Sequence, residues 1–186
     1  MILDKISNRL QISLINSRKL SVNPQLLHLD TIVKQAFFIN RFEAQKNGQS
    51  LILSIRKSPT IYADSLAVYD IIDHILKNAI KFSSEGKTTE IILDEHDGKA
   101  SIEIIDQGCG LSQDEVDRIS GWLQMQNTQA ISKITPGIGF PVIKELLELQ
   151  KGWIRVYSKG KGCGSKFSIG FETASLVIRN SIHEVA

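Results

Sequence analysis

The sequence predicts a mixed α/β domain, and three stretches predict it. In residues 64–81, Val68, Ile71, Ile72, Ile75, Leu76, Ala79 and Ile80 recur at i, i+3 and i+4, one apolar stripe of an amphipathic helix. Residues 89–94 and 100–105 are strand candidates joined around Asp97-Gly98, a strong hairpin signal because both residues tolerate positive φ. Val142, Ile143, Leu146, Leu147 and Leu149 form a second helical stripe, followed by strand candidates at 153–157 and 166–171.

The other elements follow in chain order. Leu3, Ile6, Leu10 and Leu14 give one apolar stripe over residues 2–19, too short for a stable isolated helix, so it packs on something or ends a longer helix. Residues 26–33 read as a short strand entering a helix that runs to about Lys46, with Asp30 or Thr31 as its cap. Asn47-Gly48 ends that helix, since either residue takes the left-handed turn. Residues 51–55 are a strand, Pro59 breaks it, and 60–62 form another short extended piece. Asp64 starts the clearest helix, which Ser84-Glu85-Gly86 closes. Ser112 and Glu115 form a capping box for a helix over 112–119. Residues 121–135 are polar and patternless, a loop long enough to be functional. Pro141 sits in the first turn of its helix, where proline is tolerated. The tail from Ala174 shows no pattern.

Composition narrows the class. The chain has 186 residues, the size of one domain, and should bury about 70% of its unfolded surface. Hydrophobic residues at 42% and charged residues at 23% exclude a disordered chain, a collagen and a coiled-coil rod. A net charge of +2 is too balanced to indicate nucleic acid, and no basic stripe accompanies Trp153, Tyr157 and Phe167. No apolar run reaches the ~18 residues of a membrane span, and the first residues lack a signal-peptide pattern, so no membrane contact by this chain is expected. Two cysteines make no disulfide scaffold, which points to a reducing cytoplasm.

Three glycine clusters, at 108–110, 137–139 and 160–164, each lie at the edge of a regular element. Glycine lets backbone N–H groups approach a phosphate, and the cluster at 137–139 opens a helix, where exposed N–H groups favour anions. Each cluster alone is an ordinary turn; the set is a much rarer coincidence. Asn78 shares a helix face with His74 and Lys81. That face offers an amide oxygen fit for Mg²⁺ and a point charge for phosphate, or is simply a solvated surface.

Residues about 21–172 resemble the ATP-binding catalytic domain of two-component sensor histidine kinases, in the superfamily shared with gyrase, Hsp90 and MutL. The segment His74-Ile75-Leu76-Lys77-Asn78-Ala79-Ile80-Lys81-Phe82-Ser83 resembles the family's asparagine box. Asp106 to Gly110 matches the first glycine box, D-x-G-x-G, in full. Thr135-Pro136-Gly137-Ile138-Gly139 matches the second with threonine for its first glycine, and Gly162-Cys163-Gly164-Ser165-Lys166-Phe167 matches the third.

The resemblance implies a Bergerat-type α/β (α+β) fold, a two-layer sandwich of a mixed sheet covered on one face by helices. It divides the chain into a helical stub at 1–20 like the end of a dimerisation helix, a catalytic domain at 21–174 and a tail at 175–186. ATP and Mg²⁺ are the implied cofactors. Asp106 would accept a hydrogen bond from the adenine amino group. Asn78 would hold Mg²⁺, and Lys81 would approach the phosphates beside His74. Gly108 and Gly110 would shape the adenine pocket. Gly137 and Gly139 would present N–H groups to the phosphates. Gly162, Gly164 and Ser165 complete the binding set, and residues 121–135 would be the lid.

The implied reaction transfers the γ-phosphoryl group to a histidine on a dimerisation domain, in cis or in trans, and then to a response regulator receiver domain. None of His28, His96 and His183 resembles the acceptor, so the chain reads as a fragment or split half of a cytoplasmic kinase whose parent is free to be membrane-anchored. Hydrolytic relatives place a glutamate four residues before the asparagine; His74 stands there instead, which disfavours water activation. Ser120 and Leu123 replace lid phenylalanines, and Lys151 replaces one glycine of a pair, leaving Gly152. These departures support the alternative of a degenerate pseudokinase or interaction module. An anti-sigma-type serine kinase is a third reading. Cys109 and Cys163 fall inside glycine boxes, either as ordinary small residues or as a redox gate.

Overall fold

The computed structural model describes residues 21–124 and 139–183. The stub at 1–20 therefore lies outside the described residues. A two-stranded antiparallel sheet pairs β1 (Gln25–His28) with β3 (Thr60–Ala63). The main sheet has five strands in the order β2 (Ser50–Ile55), β4 (Thr88–His96), β5 (Lys99–Asp106), β7 (Lys166–Glu172), β6 (Trp153–Tyr157). β2 and β4 run parallel; every other neighbouring pair is antiparallel. This is the mixed sheet expected, and the helices are α1 (Leu29–Lys46), α2 (Ser65–Lys81), α3 (Gln113–Gln124), α4 (Gly139–Leu149) and α5 (Ala174–His183).

Alternation along the strands makes the sheet one-sided. On β5, Ala100, Ile102, Ile104 and Asp106 are buried, while Lys99, Ser101, Glu103 and Ile105 face away. The buried face continues through Ile91 and Leu93 on β4 and through Phe167, Ile169 and Phe171 on β7. Val33 and Ala36 of α1, Ile71, Ile72, Ile75 and Leu76 of α2, and Ile143 and Leu147 of α4 join the same core. The opposite face carries Glu103 ion-paired to Lys166 at 2.9 Å and Arg155 stacked over Trp153. The result is the two-layer sandwich with helices on one face.

Local chemistry sets several boundaries as expected. The Asp64 carboxylate caps α2 by accepting from the N–H groups of Leu66 (2.9 Å) and Ala67 (3.1 Å). Ser112 and Glu115 form the reciprocal capping box of α3. Asp97 (φ 51°) and Gly98 (φ 74°) make the β4–β5 turn with both residues left-handed.

Other expectations are corrected. Neither Asp30 nor Thr31 caps α1: the helix begins at Leu29, with His28 at the cap position and no side-chain cap bond. The β1–β3 pairing brings Pro59 O to accept from Leu29 N (3.1 Å), and Asp30 pairs with Lys34 in the first turn. α3 runs to Gln124, so 121–124 are helical, not loop; Val116, Ile119 and Leu123 extend its stripe and Gly121 is tolerated inside it. The described part of the patternless tail, Ala174–His183, is a helix, α5. Thr173 donates its N–H to Gly98 O (2.8 Å), while its hydroxyl accepts weakly from Leu176 N (3.4 Å).

Candidate functional site

The first and third glycine loops are zipped together beyond the ends of β5 and β7. Asp106 N donates to Ser165 O (2.9 Å), Gly164 N to Gly108 O (3.2 Å) and Gly162 N to Cys109 O (2.7 Å). Glycine is required by contact at two places. A Cβ at Gly164 (φ +71°) would lie 2.0 Å from Asp106 O, and one at Gly110 (φ +64°) 2.2 Å from Gly160 O.

Asp106 is the centre of this zip. It is buried at the end of β5, the last inward position before the loop. Its Oδ1 accepts from Gly108 N (2.8 Å) and Ser165 N (3.2 Å), and its Oδ2 from the Ser165 hydroxyl (2.5 Å). A buried carboxylate must be hydrogen-bonded, and these donors from both loops fix its orientation. An ionised oxygen with one donor retains acceptor capacity for a further N–H group.

The turn after α2 joins the zip to the asparagine-bearing helix, since Phe82 O accepts from Cys109 N (3.0 Å). Along α2 opens a cavity of about 1050 Å³, walled by His74, Asn78 and Lys81 and by Val142, Ile143 and Leu146 of α4. Asp106 is not on its wall; the Phe82 turn is the bridge between them. The Asn78 side chain is half-buried and makes no hydrogen bond among the described residues. Lys81 is exposed, with Nζ 5.2 Å from the Phe82 ring centroid. His74 is more enclosed than a solvated helix face requires. Its ring meets Phe140 edge-on at 6.4 Å, and Phe140 stacks on Phe167 at 5.6 Å. Burial pushes the His74 pKa down, against the opposing pull of the Asp73 carboxylate, and so favours the neutral imidazole.

The predicted residues Asp106, Gly108, Gly110, Gly162, Gly164 and Ser165 thus come together at one place, with Asn78 and Lys81 on the adjoining helix. Gly139 is the first residue of α4, while Gly137 lies outside the described residues. The lid expectation also falls outside them, except for 121–124 in α3. Lys151 takes φ +54°, the left-handed residue of a Schellman cap in which Gly152 N donates to Leu147 O (2.8 Å).

Four polar residues that the sequence reading passed over organise the site. The Ser158 hydroxyl donates to Gly164 O (2.6 Å) and accepts from Leu111 N (3.0 Å), tying the two loops together. Gln49 Nε2 caps the C-terminus of α2 by donating to Ile80 O (3.0 Å) and Ser83 O (2.6 Å). Gln150 accepts from Asp64 N (2.7 Å) and donates to Leu146 O (3.0 Å), pinning the end of α4 to the start of α2. Lys161 pairs with Glu115 and ties the third loop to α3; its ammonium is the main reason the Glu115 pKa falls from 4.5 to about 2. No sequence periodicity marks these residues.

Comparison with known proteins agrees with this geometry. Residues 63–175 match the model of the histidine kinase-, DNA gyrase B- and HSP90-like ATPase family. A sensor-like histidine kinase, SenX3 of Mycolicibacterium smegmatis, is 21% identical over 167 residues, covering 89% of this chain and 43% of its own. The structure of full-length ShkA in complex with AMPPNP superposes with a TM-score of 0.76, at 20% identity over 93% of this chain and 36% of that one. Histidine kinase ThkA, in complex with the response regulator protein TrrA, gives 0.72 at 12% identity over 93% of this chain and 49% of that one. The chain spans between 14% and 43% of the length of the first curated relatives it matches. On the family match and the shared fold, the chain belongs to the histidine kinase-, DNA gyrase B- and HSP90-like ATPase family.

Proposed function

We propose that this chain is the ATP-binding catalytic domain of a sensor histidine kinase. It transfers the γ-phosphoryl group of Mg·ATP to a histidine on a dimerisation domain, and the group passes on to an aspartate of a response regulator. The observation that carries this reading is the buried Asp106 carboxylate, held by both glycine loops with acceptor capacity left for an adenine amino group. The presence of AMPPNP in the ShkA complex and of a response regulator in the ThkA complex supports the same reading.

Asn78 and Lys81 are placed to serve the phosphates. The Asn78 amide has no competing partner among the described residues, and a single amide oxygen suits a cation that keeps most of its ligands as water and phosphate. Mg²⁺ held there would neutralise charge on the phosphates. Lys81 would add a positive charge nearby, Gly139 would supply its N–H group at the start of α4, and we assign the same role to Gly137 from the sequence. Catalysis of this kind is mostly positioning and charge neutralisation.

The neutral His74 packs against Phe140 and supplies no carboxylate to activate water, which favours transfer to an imidazole over hydrolysis. His28 lies on β1, 3.2 Å from Thr60 Oγ1, and His96 lies at the end of β4, 3.3 Å from Asp94. We place the acceptor on another domain, in cis or in trans. No helix among the described residues is long and apolar enough to cross a membrane, and the proposed site of action is the cytoplasm.

The test incubates the chain with Mg·ATP labelled at the γ-phosphate and a helical dimerisation domain bearing its acceptor histidine. The expected result is acid-labile label on that domain. Acid-stable label would indicate a serine kinase. Binding without transfer would indicate a non-catalytic module, and label on this chain alone would overturn the placement of the acceptor.

A further inference from the structure

The two cysteines belong to the two loops that the structure zips together, and the proposed reaction uses neither. Both thiols are free and exposed. Cys109 O accepts from Gly162 N at 2.7 Å, and Gly108 O accepts from Gly164 N at 3.2 Å. Cys163 is therefore the residue between two glycines that bond to Cys109 and its neighbour. A Cβ at Gly110 would lie 3.2 Å from Cys163 N, so the chains are in contact on both sides of Cys109. These backbone bonds bring the two cysteine-bearing segments side by side, as a disulfide, whose Cα atoms lie about 4.4–6.8 Å apart, requires.

We propose that Cys109 and Cys163 form a redox-active dithiol pair, oxidised by hydroperoxides to an intramolecular disulfide that closes the nucleotide site. One thiolate attacks the O–O bond of hydrogen peroxide, giving a sulfenic acid and releasing one water after protonation. The second thiol attacks that sulfur, forming the S–S bond and releasing a second water. Two thiols lose two electrons, the peroxide gains them, and two waters account for every oxygen and proton. A reducing dithiol reverses the step.

The consequence follows from the bonding around Asp106 and rests on the nucleotide reading above. Its carboxylate is held by Gly108 N–H and by Ser165, one group from each loop, and Cys109 N–H also ties the Phe82 turn. Drawing the two sulfurs to bonding distance shifts the two loops against each other, and with them the Gly108 and Ser165 donors that hold the Asp106 carboxylate ready for an entering base.

The experiment treats the chain with hydrogen peroxide, counts thiols, measures intact mass under non-reducing conditions and titrates Mg·ATP before and after. The expected result is loss of both thiols, a monomer lighter by two hydrogens, and at least a tenfold loss of affinity that dithiothreitol restores. Cys109→Ser and Cys163→Ser should each keep their affinity under peroxide. Retention of two thiols, oxygen-adduct masses, an intermolecular dimer, or a bridge with affinity changed less than threefold would overturn the proposal. If the reduced chain binds no nucleotide, the nucleotide reading and the gate both fail, while thiol count and mass still decide whether the bridge forms.

Discussion

Gln150→Ala removes the link between the end of α4 and the start of α2. Gln150 is only 8% exposed; its Oε1 accepts from Asp64 N at 2.7 Å and its Nε2 donates to Leu146 O at 3.0 Å. Each hydrogen bond contributes about 1 kcal/mol net, and stranding the half-buried Asp64 N–H adds about another 1 kcal/mol. The expected loss is roughly 2–3 kcal/mol, or roughly 4–12 °C in Tm for a chain of this size. Urea unfolding followed by tryptophan fluorescence measures it. Gln150→Met keeps the volume and removes both bonds, so it should lose nearly as much, which separates hydrogen bonding from packing. A Gln150→Ala protein within about 0.5 kcal/mol of the parent would refute the pinning role, since that is the ordinary effect of a surface substitution.

Three further outcomes follow from the site and its surroundings. Asp106→Asn keeps an acceptor for Gly108 and Ser165 N–H but presents an NH₂ group where the adenine amino group would donate; calorimetry should show at least a hundredfold loss of ATP affinity, about 3 kcal/mol, with the fold intact. Burial holds His74 below its ordinary 6.5, so below that pH the unfolded chain takes up a proton that the folded chain resists. Stability present above pH 6.5 should fall as the pH drops toward the folded pKa, and His74→Gln should flatten that part of the urea-midpoint profile. Lys151→Gly relieves a left-handed residue worth about 1–2 kcal/mol of strain and costs about 0.5–1 kcal/mol of chain entropy, so urea unfolding should show a gain of roughly 0.5–1 kcal/mol.

The parts legible in the sequence are those whose physics is local. Asp64, the Ser112–Glu115 box and Asp97-Gly98 act within a few residues of themselves, and each performs the role its spacing predicts. The α2 stripe was legible because its isoleucines all face one core. The start of α1 was not, because the acceptor for Leu29 N–H comes from Pro59, across the β1–β3 pair. α5 was hidden for a similar reason, since Thr173 is fixed by Gly98 at the far hairpin. Gln49, Ser158 and Gln150 are polar residues that read as solvent-facing, yet their partners are backbone groups; for Gln150 and Asp64 these lie 86 positions apart. The glycine boxes stood out as a set, but only the folded backbone shows two of them bonded around Asp106.

Calorimetric titration of Mg·ATP into the chain, beside Asn78→Ala and with the metal removed by chelator, tests the central claim most directly. A nucleotide site organised by Asp106 and Asn78 predicts saturable one-to-one binding that ADP competes away, weakened by chelator in the parent and insensitive to it in Asn78→Ala. Absence of saturable binding in a chain with a cooperative melting transition would contradict it.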